Sequence, residues 1–479
     1  MRILFYYPQK PVIEMFKNDK RVIFMDNYGF YEFKNGVKKN FYLKEANFKY
    51  FKKTNFPNIL KKINSWIPVW SRFNDDGHFY YHNFRKILYN YIKIHSFFKK
   101  SKINKVVMFT YASHNLRSLL IDLVCAETKI KQLFFFDSGM LPGNEKNLVT
   151  GIVQKYDFKN RNFINFKLNH FNINNHFSNF KTETLEKTKN NFDQYKSYFY
   201  LINFSYNFYL SFVYTFLFYS LENFKIRIKK IFSDSLFIDI HRYSTLNHLR
   251  VLYSQKKALQ FYKKNEIDTI NFIKKKDNKL IIAASIQPEA SSFPESADWN
   301  HMFDILLEIR RLGYKKKIFY KEHPVIKTYT DKITKHSRKG ISRNVEYYQY
   351  FKNLECSFLK LDFNLLEKKI MENSVIFAMG STLCVERSIL GYKSIYFGNP
   401  WWKGLPGTIH ISKLKSLSNI DYLCGYDKKI EINAEKFLKK KLNYKLFENN
   451  IGLHALASKI KSRNSKKFKD TINKLITKF

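Results

Sequence analysis

From Lys279 to Trp402, short apolar runs alternate with polar loops and with segments whose apolar residues recur every three or four positions. The first run, within Lys279-Leu-Ile-Ile-Ala-Ala-Ser285, is too short for a helix and ends in a polar loop, which predicts a buried parallel strand. Met302, Ile305, Leu306, Ile309 and Leu312 then line one helical face, and Gly313 supplies a stop signal. Lys317-Ile-Phe-Tyr320, Val375-Ile-Phe-Ala-Met379 and Lys393-Ser-Ile-Tyr-Phe-Gly398 predict three further strands, with a helix between the last two that closes at Gly391. Strand, loop and helix in repetition predict a parallel sheet covered by helices on both faces.

The same grammar opens the chain. Met1-Arg-Ile-Leu-Phe-Tyr-Tyr-Pro8, Arg21 to Met25, Lys105 to Tyr111 and Gln132 to Gly139 predict strands, while Phe84 to Phe98, a stretch through Leu119 and Leu123, and His248 to Tyr262 predict helices. A chain of 479 residues exceeds what one core serves, so two α/β domains are expected, over 1–250 and 251–435. The basic tail, 436–479, is expected to be helical because Leu438, Leu442 and Leu446 recur at four-residue spacing.

Ligands bind at the carboxyl ends of parallel strands, and the chemically useful residues fall there. Gln287 and Glu289 follow the first strand of 251–435, Lys321 and His323 the second, Gly380, Ser381 and Thr382 the third, and Asn399 the fourth. Gly-Ser-Thr before a helix offers amides, a hydroxyl and the positive end of the dipole to a phosphate. His323 can donate a hydrogen bond or a proton to a phosphate oxygen, and Gln287 and Glu289 can hold sugar hydroxyls. Plainer roles stand beside these: a helix cap for Ser381, a structural histidine and a turn at Pro288. In the first domain Asp137 ends a strand, where a carboxylate serves catalysis or caps the turn that follows.

Gln287-Pro-Glu-Ala-Ser291, Lys321-Glu-His-Pro324, Met379-Gly-Ser-Thr382 with Glu386, and Tyr396-Phe-Gly-Asn-Pro-Trp-Trp402 together resemble the capsular-polysaccharide-synthesis family. That family is similar to bacterial β-Kdo transferases and, more distantly, to sialyltransferases that share the His-Pro motif. The resemblance implies two Rossmann-like domains facing across a cleft (the GT-B type), with no cofactor and no obligatory metal. It also implies a nucleotide-sugar donor, CMP-Kdo in the β-Kdo transferases, and a glycan or glycolipid acceptor. Catalytic roles then fall to Asp137, His323 and Glu289, and donor binding to Gln287, Lys321, Gly380, Ser381, Thr382, Glu386 and Asn399. Glu386 resembles a glutamate that contacts nucleotide ribose; its alternative is an exposed helix residue. In enzymes of this type the last helix often crosses back to the first domain.

A formal net charge of +44 favours anionic partners. The basic residues are dispersed and no helix-turn-helix, zinc-finger or RRM signature appears, so nucleic acid is not expected. The four cysteines lack paired short spacing and fit a reducing, cytoplasmic setting. Ser197 to Leu221 is 25 residues without a charge, but its six tyrosines, two asparagines and four serines suit an interface better than hydrocarbon. Lys225, Arg227, Lys229 and Lys230 follow at once, so the insertion at about 190–250 is expected to dock on an anionic membrane surface, its alternative being a buried helical hairpin. A sialyltransferase or glycerophosphate-type polymerase is the alternative within the fold, and a non-catalytic basic scaffold or nucleic-acid binder the alternative outside enzymes.

Overall fold

The computed structural model describes residues 2–6, 8, 10–26, 29–41, 78–109, 116–137, 148–157, 162–165, 204–205, 207–232, 245–267, 272, 277–285, 302–331, 343–398, 400, 402–441, 444–448, 469–470, 473–474 and 476–477. The chain divides into two compact units, one of residues 1–173, 222–243 and 442–479, the other of 174–221 and 244–441. Residues 174–221, expected with the first domain, group with the second.

The first unit opens with β1 (Arg2–Tyr6), α1 (Lys10–Phe16), β2 (Val22–Asp26), β3 (Gly29–Lys34) and β4 (Val37–Asn40). It continues with α2 (His78–Lys100), β5 (Ile103–Met108), α3 (Leu116–Thr128), β6 (Lys131–Asp137), β7 (Leu148–Asp157) and β8 (Asn162–Asn165). β6, β5, β1 and β2 pair in parallel, and their buried residues make a near-continuous apolar core, as a strand covered on both faces requires. β3 and β4 extend this sheet antiparallel at one edge, and β7 at the other.

The second unit holds β9 (Phe204–Ser205), α4 (Phe208–Phe232) as far as Leu221, the rest of that helix grouping with the first unit, α5 (Thr245–Lys264), β10 (Lys279–Ala283), α6 (Met302–Arg311) and β11 (Ile318–Lys321). Next come β12 (Thr330–Asp331), α7 (Val345–Asn353), β13 (Cys356–Phe358), α8 (Lys368–Glu372) and β14 (Ser374–Met379). The unit ends with α9 (Thr382–Ile389), β15 (Ser394–Phe397), β16 (Thr408–His410) and α10 (Lys428–Lys441). Its six-stranded sheet runs β13-β11-β10-β14-β15-β16 with every pairing parallel. The expected helix face Met302, Ile305, Leu306 and Ile309 is wholly buried against this sheet. Both units are thus α/β, each on its own sheet.

The tail departs from expectation. Leu438 lies on α10 and is buried, but Leu446 lies in a strand, β17 (Tyr444–Glu448), antiparallel to β7 of the first unit. Four-residue spacing of leucines fits a helix, yet Tyr444 and Phe447 favour a strand, and pairing fills the hydrogen-bonding edge of β7. Beyond it, Lys105 Nζ donates to the Ile476 carbonyl at 2.6 Å. The four cysteines are free.

Candidate functional site

β10 lies between β11 and β14, and register fixes the level of their ends: Ala283 pairs with Lys321 on one side and with Ala378 on the other. His323 therefore leaves the carboxyl edge two residues beyond one pairing, and Gly380 and Ser381 two and three residues beyond the other. Two strand spacings separate them, roughly 10 Å of backbone, a span that one bound molecule can cover. The loop carrying Gln287 and Glu289 starts from the strand between them, although both residues lie outside the described ones. So does Asn399, which follows the end of β15.

At β14 the chain turns through Gly380, whose φ of +50° lies in the left-handed region that glycine enters without penalty. Ser381 then adopts extended backbone and its Oγ accepts from the Leu383 amide at 3.2 Å, so it caps α9. The amides of Thr382 and the next residues open that helix at the edge where His323 emerges. α9 itself is pinned from below by Arg387, fully buried, whose guanidinium donates to the carbonyls of Leu365, Met371, Ser374 and Lys393. Burial alone pulls its pKa down to about 10. Glu386 is 4 % exposed, so the exposed alternative does not hold. Removing the cap, Ser381→Ala, should lower stability by about 1 kcal/mol, measured by chemical denaturation.

At β11 the Lys-Glu-His-Pro segment is organised by a residue the sequence did not single out. Glu322 forms an ion pair with Arg343 at 2.8 Å, each side chain only 2 % exposed. The same carboxylate accepts from Tyr320 Oη at 2.9 Å, Tyr348 Oη at 2.8 Å and the His323 amide at 2.7 Å. Tyr262 Oη accepts from the Glu322 amide at 3.2 Å. Burial alone would raise the Glu322 pKa, but Arg343 and these donors hold the carboxyl below its usual range. Arg343 also donates to the Ser285 carbonyl at 3.1 Å, and its guanidinium lies over the Tyr347 ring at 4.4 Å. One ion pair thus ties the end of β10 to the end of β11 and fixes the backbone that presents His323.

Lys321 is buried and its Nζ donates to the carbonyls of Glu322 and Leu361, both at 2.9 Å. Burial lowers its pKa to about 8, only partly offset by Glu322. In this geometry Lys321 braces the loop with its own cation. Pro324 starts a single 3-10 turn, Pro324–Lys327. His323 is half-buried beside it. At the far side of the edge His410, ending β16, caps the next turn, accepting from the Ser412 amide at 3.2 Å.

Asp137 ends β6 in the first unit, its backbone opposite Gly151, and its side chain lies outside the described ones. A hollow lined by Asn265, Lys317, Lys352 and Cys356 opens at the amino edge of the second sheet, opposite the motif residues. Among the described residues, no three His, Cys, Asp or Glu side chains gather as a metal site requires.

No family model matches the chain, and no curated protein matches its sequence. Among solved structures it is similar to the β-Kdo 2,7 transferase KpsC of Thermosulfurimonas dismutans, at 10 % identity over 76 % of this chain and 87 % of that one, with a TM-score of 0.33. It is also similar to the UDP-N-acetylglucosamine 2-epimerase of Rickettsia bellii, at 12 % identity over 93 % and 96 %, TM-score 0.24. A third similarity is to the UDP-GlcNAc 2-epimerase of Methanocaldococcus jannaschii, at 12 % identity over the whole of both chains, TM-score 0.25. All three TM-scores fall below 0.5.

Proposed function

We propose that the protein is a glycosyltransferase of surface-polysaccharide synthesis that takes its sugar from a nucleotide, CMP-Kdo before others, and passes it to a glycan or glycolipid. The observation that supports this most is the common carboxyl edge on which His323 and the capped amino end of α9 flank β10. The four motifs that resemble the capsular-polysaccharide-synthesis family support it from the sequence. In the proposed reaction the amides of α9, Ser381 and Thr382 hold the donor phosphate, and Gln287, Glu386 and Asn399 hold the rest of the nucleotide and sugar. His323 donates a proton or hydrogen bond to the departing phosphate. Glu289 orients the sugar. Asp137 is the proposed carboxylate: the resemblance to β-Kdo transferases favours its attack on the anomeric carbon, with the nucleotide monophosphate leaving and an acceptor hydroxyl then displacing the carboxylate. In this reading the enzyme is cytoplasmic and works peripherally at the inner face of the cytoplasmic membrane.

Incubating the full chain with CMP-Kdo, CMP-sialic acid and a set of UDP-sugars, and measuring released nucleotide, tests the proposal. Release from a CMP-sugar is expected, and Asp137→Ala should lower it by about a hundredfold or more. Release of CMP from the sialic acid donor alone would favour the sialyltransferase alternative. No release from any sugar nucleotide would remove the catalytic reading.

A further inference from the structure

α4 is built the wrong way round for a helix of a water-soluble unit. Its inward positions are Ser211, Thr215 and Tyr219, fully or almost fully buried and spaced four apart. Its outward positions are apolar: Tyr209, Leu210, Val213, Phe216, Leu217 and Leu221 are between 45 % and 72 % exposed. At 100° per residue these six fall within about 140° of one another on the side away from the buried line. Isolated exposed leucines are ordinary, but a continuous apolar half-cylinder marks a surface meant to be covered.

Packing explains why the helix presents this face. Tyr219 stacks on His248 of α5 with ring centroids 3.4 Å apart, which anchors the inward line of the helix. Cations stand at the amino end of the apolar face and around its carboxyl end, where exposed Phe224 and Ile228 continue it. At the amino end Lys256 of α5 lies 4.4 Å from the Phe208 ring centroid and 4.7 Å from that of Tyr209. At the other end Lys225 is exposed one turn beyond Leu221, and Arg227, Lys229 and Lys230 occupy the following two turns of the same helix. No helix among the described residues is long and apolar enough to cross a membrane.

We infer that the outward face of α4 lies in the plane of an anionic phospholipid bilayer, its apolar side chains at the headgroup–acyl boundary and its flanking lysines on the headgroup phosphates. An apolar face bracketed by cations matches such a surface in both respects: apolar burial supplies adhesion and the cations select negative headgroups. Tyr209, at the rim beside Lys256, has the amphipathic ring that suits headgroup depth. The inference gives a surface to the membrane placement proposed above, and its test uses no sugar chemistry, so either can fail alone.

The full chain is co-sedimented with vesicles of pure phosphatidylcholine and with vesicles containing phosphatidylglycerol. Binding should be strong only with the anionic vesicles and should weaken as salt is raised. Val213→Asp/Leu217→Asp/Leu221→Asp should lower it by about tenfold or more while circular dichroism stays as in the parent. Because these positions are solvent-exposed, the fold should tolerate the change; if it does not, Leu217→Asp alone carries the test. Lys225→Glu/Arg227→Glu/Lys229→Glu/Lys230→Glu should abolish the preference for anionic lipid. Undiminished vesicle binding by the apolar variant would overturn the inference. A parent that ignores vesicles but forms an oligomer which the same variant dissociates would also overturn it, assigning the face to a second copy.

Discussion

Replacing His323 by alanine should lower sugar transfer by about a hundredfold or more and leave the folded state intact. The expectation rests on position. His323 is half-buried two residues beyond β11 and is not one of the hydrophobic residues packed in the core of the second sheet, so that packing does not depend on its imidazole. Its backbone, by contrast, is fixed: the amide donates to Glu322 Oε1 and the carbonyl accepts from the Ile326 amide at 3.1 Å. A group held this firmly at a strand end is preorganised to meet charge developing on a leaving phosphate, and one such donor is commonly worth ~3–4 kcal/mol in the transition state. Steady-state kinetics on His323→Ala and His323→Gln would resolve the role. Loss of kcat in both identifies proton donation, and recovery in the glutamine variant identifies hydrogen bonding. Near-parental turnover in alanine would take His323 out of the mechanism.

The second large effect concerns the ion pair behind it. Glu322→Gln leaves Arg343 buried without its counter-charge, and Arg343→Met leaves the carboxylate so, each at a cost of about 3–5 kcal/mol. Replacing both, Glu322→Met with Arg343→Met, should recover much of that stability, because two apolar side chains of similar size need no partner. Nucleotide binding should not recover with it, since the ties from Arg343 to Ser285 and from Glu322 to the His323 amide are gone. Urea unfolding of the three variants beside nucleotide titration separates the two consequences. A double variant that regains both stability and binding would show the pair to be structural only. The pH dependence follows from the sign of the shift. The Glu322 carboxyl sits below its ordinary value of 4.5 in the fold, so its contribution is present above that value and is lost as pH falls through the folded one. The parent should therefore lose stability on acidification more steeply than Glu322→Gln.

The sheet of the second unit was legible because burial on both faces leaves one kind of strand, a short run of Ile, Val, Phe and Ala, and β10 and β14 are such runs. β13 and β16 were not, because three residues carry no period. The tail misled for a related reason, since leucines at 438, 442 and 446 suit a helix until a strand edge competes for the last of them. At the site the sequence offered the residues that stand out by type, His323 and Gly-Ser-Thr, and missed those that hold them. Glu322 and Arg343 lie 21 positions apart and read in sequence as two charges among many. Tyr320, Tyr347 and Tyr348 were the available clue, since buried tyrosines must place their hydroxyls and two of these place them on Glu322. Likewise the uncharged stretch of α4 disclosed its composition but not which side it would turn outward.

In the proposed reaction the carboxyl edge of the second sheet grips a nucleotide through the residues at the ends of β11 and β14. Calorimetric titration of the full chain with CMP, CDP and UDP, repeated on His323→Ala and on Ser381→Ala/Thr382→Ala, tests it most directly. Saturable binding with CMP preferred is expected, weakened by about tenfold or more in both variants. Equal affinity in the parent and in both variants would contradict it.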